Sequence, residues 1–102
     1  MRVRMVVASG LLALLVLGAA QAPQIGIEDF KYLPPALTVP AGTTVSWANR
    51  DEELHAVTSS AGLFASPGLE KGETFSYTFK APGAYAYFCA LHPYMTATIT
   101  VK

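Results

Sequence analysis

From residue 24 to the end of the chain, apolar and polar positions alternate with a period of two, the repeat of a strand buried on one face. Phe75, Tyr77 and Phe79 share one side of such a segment, with Thr74, Ser76 and Thr78 on the other; Ala97, Ile99 and Val101 alternate with Thr96, Thr98 and Thr100 in the same way. The pattern predicts strands over Gln24–Phe30, Ala36–Val39, Thr43–Ala48, His55–Ser59, Glu73–Phe79, Gly83–Cys89 and Thr96–Val101. Turns fall at Val39-Pro40-Ala41-Gly42, Pro67-Gly68 and Ala81-Pro82-Gly83. No segment after residue 22 carries a helical period, and no repeat is present. Short strands with turn signals this closely spaced predict an all-β fold, a Greek-key β-sandwich of about seven to eight strands. Tyr85, Tyr87 and Cys89 lie on one face of their segment. If the tyrosines enter the core, Cys89 points inward at the strand's end and Phe88 points out. Trp47 joins the same core.

The first 22 residues differ in kind. Arg2 and Arg4 precede an apolar run from Met5 to Leu17, interrupted only by Ser9 and Gly10, and small residues follow. This is the layout of a secretory signal peptide over residues 1–20, cut after Ala20 or Ala22. Ala20 is preferred, because a cut after Ala22 would leave Pro23 next to the scissile bond. The alternative is an uncleaved membrane anchor, but the apolar run is shorter than the roughly 20 residues that span a bilayer. Residues 21–102 then form a single domain.

Composition narrows the function. The chain has seven Lys and Arg against seven Asp and Glu; without Arg2 and Arg4 the balance is five against seven. That balance, with no basic cluster, excludes nucleic acid as a partner. Cys89 is the only cysteine, so no internal disulfide can form despite the export signal. A domain of this size buries a modest core, to whose stability a bound metal would add.

The chemistry concentrates in Tyr87-Phe88-Cys89-Ala90-Leu91-His92-Pro93-Tyr94-Met95, which offers a thiolate, an imidazole and a thioether at the spacing C-x2-H-x2-M. His55 opens another predicted strand. Two imidazoles and a thiolate in a trigonal plane, with a long thioether contact, form a type 1 copper site. Taken singly, each residue has a duller role: Cys89 as a small buried hydrophobe, Met95 as core filler, either histidine as a surface or structural side chain. Together they use both histidines and the only cysteine of the chain, which makes His55, Cys89, His92 and Met95 the candidate metal ligands. Zinc is the competing metal, but it favours more cysteine, histidine or carboxylate ligands and takes methionine poorly.

These residues, with Phe30-Lys31-Tyr32-Leu33-Pro34, Val45-Ser46-Trp47-Ala48-Asn49 and Pro82-Gly83-Ala84-Tyr85, resemble the cupredoxins, the type 1 blue copper proteins, and most nearly the amicyanin and plastocyanin branch. The resemblance covers almost all of the chain after the leader. It implies one copper ion and a one-electron carrier, periplasmic or otherwise extracytoplasmic, rather than an enzyme. His92 would be the ligand whose ring edge reaches solvent, and Tyr85 the tyrosine that pins a strand corner. Two departures stand out. Ala56 replaces an asparagine that ties two loops in many relatives, although its N–H can still bond the Cys89 sulfur. Leu91 replaces a proline and so retains an N–H that could reach the same atom. The implied partners are a redox donor and acceptor docking at an apolar patch around His92, formed by Ala90, Leu91, Pro93 and Tyr94 with Pro34, Pro35, Leu63 and Phe64 nearby; the protein would be a monomer. Asp51-Glu52-Glu53 would rim the copper end. An oxidase or nitrite reductase fragment would need further histidines, and copper delivery or storage would call for richer Met or Cys content than Met95 and Cys89 provide.

Overall fold

The structure, a computed structural model, describes residues 22–102, so the leader expected at residues 1–20 lies outside the described residues. Eight strands follow in order: β1 Gln24–Glu28, β2 Lys31–Leu33, β3 Ala36–Val39, β4 Thr43–Asn49, β5 Thr58–Ser59, β6 Thr74–Phe79, β7 Gly83–Cys89 and β8 His92–Val101. One sheet is ordered β2-β1-β4-β6 and the other β3-β8-β7-β5. Only β1–β2 and β7–β8 are hairpins; every other connection crosses between the sheets. As a result β1 pairs with β4, and β3 with β8, in parallel, whereas the remaining pairs are antiparallel. Among the described residues no helix is long and apolar enough to cross a membrane.

The period-two pattern sets the layers. Ile25 and Ile27 of β1, Val45 and Trp47 of β4, Phe79 of β6, Tyr87 and Cys89 of β7, and Ala97, Ile99 and Val101 of β8 are buried between the sheets. Trp47 is fully buried at the centre, with Phe64, Phe75, Phe79 and Tyr87 around its ring at 5.4 to 6.4 Å between centroids. Truncating such a ring costs about 3–5 kcal/mol. The Tyr85 hydroxyl donates back to the Ala81 carbonyl, pinning the corner where β7 begins.

Three segments differ from the alternation. The expected strand Gln24–Phe30 stops at Glu28, because Asp29 and Phe30 both adopt left-handed backbone (φ 55° and 57°) and turn the chain into β2. Of His55–Ser59 only Thr58–Ser59 joins a sheet; His55 instead forms an isolated antiparallel bridge with Leu69. The last strand starts four residues early, at His92, so the expected metal-binding loop is the tip of a hairpin.

Candidate metal centre

Two pieces of backbone deliver the candidate ligands. His55 is clamped at both ends, its N–H donating to Leu69 O at 3.2 Å and its carbonyl accepting from Leu69 N at 2.7 Å. The buried Asn49 side chain supports this clamp, donating to the carbonyls of Glu53 and Leu69 while its oxygen accepts from Asp51 N at 2.9 Å. Cys89 and His92 face each other across the β7–β8 hairpin, with Ala90 and Leu91 as the two turn residues. An irregularity between Phe88 and Cys89 shifts the register at the end of β7, directly beside the site.

The geometry is that of donors around one ion. His55 Nδ1 and His92 Nδ1 stand 3.2 Å apart, Cys89 Sγ lies 3.6 Å from His92 Nδ1, and all three donor atoms lie within 4.8 Å of one another. Metal–imidazole bonds of about 2.0–2.1 Å and a metal–thiolate bond of about 2.3 Å separate the donors of a trigonal ion by roughly 3.5–3.6 Å (N to N) and 3.7–3.8 Å (N to S). The two spacings about His92 come within a few tenths of an ångström of these, and the third side of the triangle lies within 4.8 Å. His55 and Cys89 are fully buried and His92 half-buried, so one imidazole edge alone approaches solvent. Met95 is buried at the same end of the fold, three residues beyond His92.

Around these donors the hydrogen bonds are directional. The Asp51 carboxylate accepts from Asp29 N at 2.8 Å and Phe30 N at 3.0 Å. His55 Nε2 lies 2.8 Å from Asp51 Oδ2, so that nitrogen carries the proton and Nδ1 presents its lone pair to the cluster. Burial pulls the Asp51 carboxyl upward, but the Phe30 and Asp29 N–H groups and the His55 ring outweigh it and hold the group below its ordinary value. Cys89 Sγ accepts from Ala56 N at 3.3 Å. Among the described residues this is its one backbone donor. The Leu91 N–H, expected to reach the sulfur, does not: Leu91 occupies the hairpin turn, and its side chain leans over Gly68 and Leu54.

Two groups at this site escaped the sequence. Phe30 packs edge-on against both imidazoles, at 4.8 Å from His55 and 4.9 Å from His92, which are themselves 5.0 Å apart, so the three rings form a near-equilateral triangle. Leu54, 44% exposed, adds an apolar side chain beside Leu91 (49%), and Tyr94 is 70% exposed. Leu63 and Phe64 do not belong with them. Phe64 is buried against Trp47, Tyr77 and Phe79, and Leu63 lines an open depression with Tyr77, Lys80 and Tyr85. Nothing in the alternation distinguishes an apolar residue beside the metal from one beside the core, because both kinds are only required to be apolar.

The cupredoxin-like domain family matches residues 5–101. The chain belongs to the cupredoxin family. It is 36% identical over 88 residues to an amicyanin of Paracoccus versutus, an alignment that covers 81% of this chain and 67% of that protein. Its fold superposes on the Cu(I) form of an amicyanin variant with a TM-score of 0.77 at 34% identity, covering 82% of this chain and 85% of the other. It also superposes on part of a copper-containing nitrite reductase from Thermus scotoductus, with a TM-score of 0.75 at 29% identity, covering 80% of this chain but only 22% of the enzyme. The cofactor is copper: a soft thiolate beside two imidazoles suits it, and the family holds one such ion.

Proposed function

We propose that this chain is a diffusing one-electron carrier acting outside the cytoplasm after loss of residues 1–20, with His55, Cys89 and His92 as the trigonal copper ligands and Met95 as the weak axial one. Copper supplies a couple between two oxidation states one electron apart. The chain's own residues keep the donors in place for both. His55 is held by its two backbone bonds and by Asp51, Cys89 by the hairpin and the Ala56 N–H, and water is kept out by the burial of both. The observation that carries the reading is the preformed donor triangle at 3.2 and 3.6 Å, built from both histidines of the chain. No third histidine is left for a second, substrate-binding copper, which favours a carrier over a reductase such as the nitrite reductase whose domain it resembles. The amicyanin relatives support the same choice. A copper delivery protein is less well supported, since a buried, closed ligand set is poorly suited to handing over its ion.

The surface around His92 suits brief docking. Leu54, Leu91, Pro93 and Tyr94 are exposed there. Gly68 makes room for the first two: a β-carbon at that position would stand 2.7 Å from Leu54 Cδ2 and 4.0 Å from Leu91 Cδ1. The charge beside this patch is predominantly negative. All seven side-chain carboxylates of residues 22–102 lie at the end of β1, in the β1–β2 turn, in the loop leaving β4 and in the loop entering β6, against Lys31, Arg50 and Lys71 in the same segments. These three loops are tied together by Asp51, by Gly72 N donating to Asn49 O, and by the Lys71–Glu52 pair at 2.8 Å. Lys80 and Lys102 sit at the opposite end, beside the β3–β4 turn. A partner with a basic face therefore fits best.

The test is a visible spectrum and voltammogram of the copper-loaded protein at low and high salt. An intense thiolate-to-Cu(II) band, a reversible couple, and faster reaction with a cationic than an anionic oxidant that converges in high salt are expected. Copper uptake without that band would end the proposal.

A further inference from the structure

We propose that Asp51 is a positioning residue of the copper centre: its single carboxylate locks the His55 ring to the Asp29–Phe30 turn, and so sets the Phe30 ring against both histidines. This deepens the reading of His55, Cys89 and His92 as ligands and rests on it. Three observations carry it. Asp51 uses both oxygens, Oδ1 for Asp29 N and Oδ2 for Phe30 N and His55 Nε2. Two consecutive non-glycine residues, Asp29 and Phe30, sit in left-handed backbone, a conformation that persists only where surrounding contacts over-determine it. The ring that this turn projects touches His55 and His92 at 4.8 and 4.9 Å, with interplanar angles of 89° and 77°. A surface turn needing only a cap would require neither the bond to His55 nor the contact with His92.

The arrangement also answers a gap. At position 56 the chain has alanine, which offers its backbone N–H to Cys89 but no side chain to join the loops. Asp51 makes that join from the other side of His55, tying β1–β2 to the loop that carries the ligand. Its bond also fixes which His55 nitrogen is protonated, since a carboxylate already accepting two N–H bonds can only accept from Nε2.

Asp51→Asn and Phe30→Leu test it. Asn is isosteric but cannot accept at all three positions, and Leu removes the ring contacts while leaving the carboxylate bonds intact. Copper-loaded Asp51→Asn should show a shifted Cu(II) hyperfine splitting and lose copper to a chelator about 10-fold faster or more. In the metal-free protein the His55 Nε2–H, read by NMR hydrogen exchange, should lose its protection. Phe30→Leu should shift the hyperfine splitting while retaining that protected proton. A drop in apoprotein stability with an unchanged spectrum and copper-loss rate would make Asp51 a turn cap only and overturn the proposal, as would an unshifted Phe30→Leu spectrum. If the wild-type protein itself forms no copper–thiolate band, the ligand assignment fails rather than this inference alone.

Discussion

Replacing Ala56 by proline removes the one backbone N–H that the structure places on the Cys89 sulfur, at 3.3 Å. The neighbouring geometry tolerates the change on two counts. His55 lies in an extended bridge, the conformation favoured before proline, and the Ala56 carbonyl, which accepts from the Tyr32 hydroxyl, is untouched. A hydrogen bond to a thiolate withdraws charge from sulfur and is stronger when the sulfur donates less to the metal, as it does to Cu(I). Bonds to charged groups contribute about 1.5–3 kcal/mol. Sulfur belongs at the low end, and with the greater part of that difference falling on the reduced state, the differential is on the order of 1 kcal/mol, or about 40 mV for one electron. Ala56→Pro should therefore lower the potential by roughly 20–60 mV, measured by voltammetry once the visible spectrum has shown an intact type 1 band. Leu91→Pro is the matched comparison. Because the Leu91 N–H does not reach the sulfur, this variant should leave the potential within a few millivolts. A larger fall for Leu91→Pro than for Ala56→Pro would show that the sulfur's donor has been misassigned.

Cys89→Ser should abolish the intense visible band, which arises from sulfur-to-copper transfer; an unchanged spectrum would remove Cys89 from the site. Met95→Leu should keep the band and raise the potential, since losing a weak donor disfavours Cu(II) more than Cu(I), and a fall in voltammetry would show that Met95 is not axial. Burial pushes the Tyr87 phenol up from 10.0 to about 12. A raised folded value means full stability below the unfolded pKa and loss as pH rises through the folded one. Tyr87 should therefore contribute a fall in stability between about pH 10 and 12 on the order of 3 kcal/mol, beside that of Tyr32, whose buried phenol is raised as well. Urea midpoints across that window would check it, and Tyr87→Phe, which deletes the buried hydroxyl, should remove the Tyr87 share of the fall and leave that of Tyr32.

The sequence disclosed what depends on periodicity and on rare side chains. Phe75, Tyr77 and Phe79 marked their strand because a sheet face repeats every second residue, and the C-x2-H-x2-M run stood out because its residue types are scarce. What stayed hidden depends on backbone that departs from the period. Asp29 and Phe30 carry no glycine or proline to announce a left-handed turn, so the first strand was expected to run on through Phe30, and β2 was not expected at all. Asp51 resembled its neighbours Glu52 and Glu53, all solvent-facing carboxylates in a loop, yet its side chain turns inward to three donors. Its difference comes from the position of His55 Nε2 and two N–H groups 21 and 22 residues earlier, a relation that exists only after folding.

The placement of these hidden contacts bears on what an electron carrier requires. A site that reorganised between oxidation states would slow transfer, so the donors have to be held by the protein rather than by the metal. His55 and Cys89 meet that requirement through contacts made before any ion arrives: two backbone bonds and a carboxylate for one, a hairpin pairing and an N–H for the other. Holding His55 by Asp51 has a cost, since two left-handed residues each cost about 1–2 kcal/mol in a domain whose net stability is of order 5–15 kcal/mol. The strain is repaid locally by the carboxylate bonds to the same two residues, so the turn stays where its ring meets the histidines. His92 is held differently. It has the hairpin behind it and Phe30 beside it, and it is half-buried at the edge of the apolar patch. With the proposed ligand set, rigidity is thus greatest at the two buried donors and least at the half-buried His92, the edge through which an electron would leave the fold.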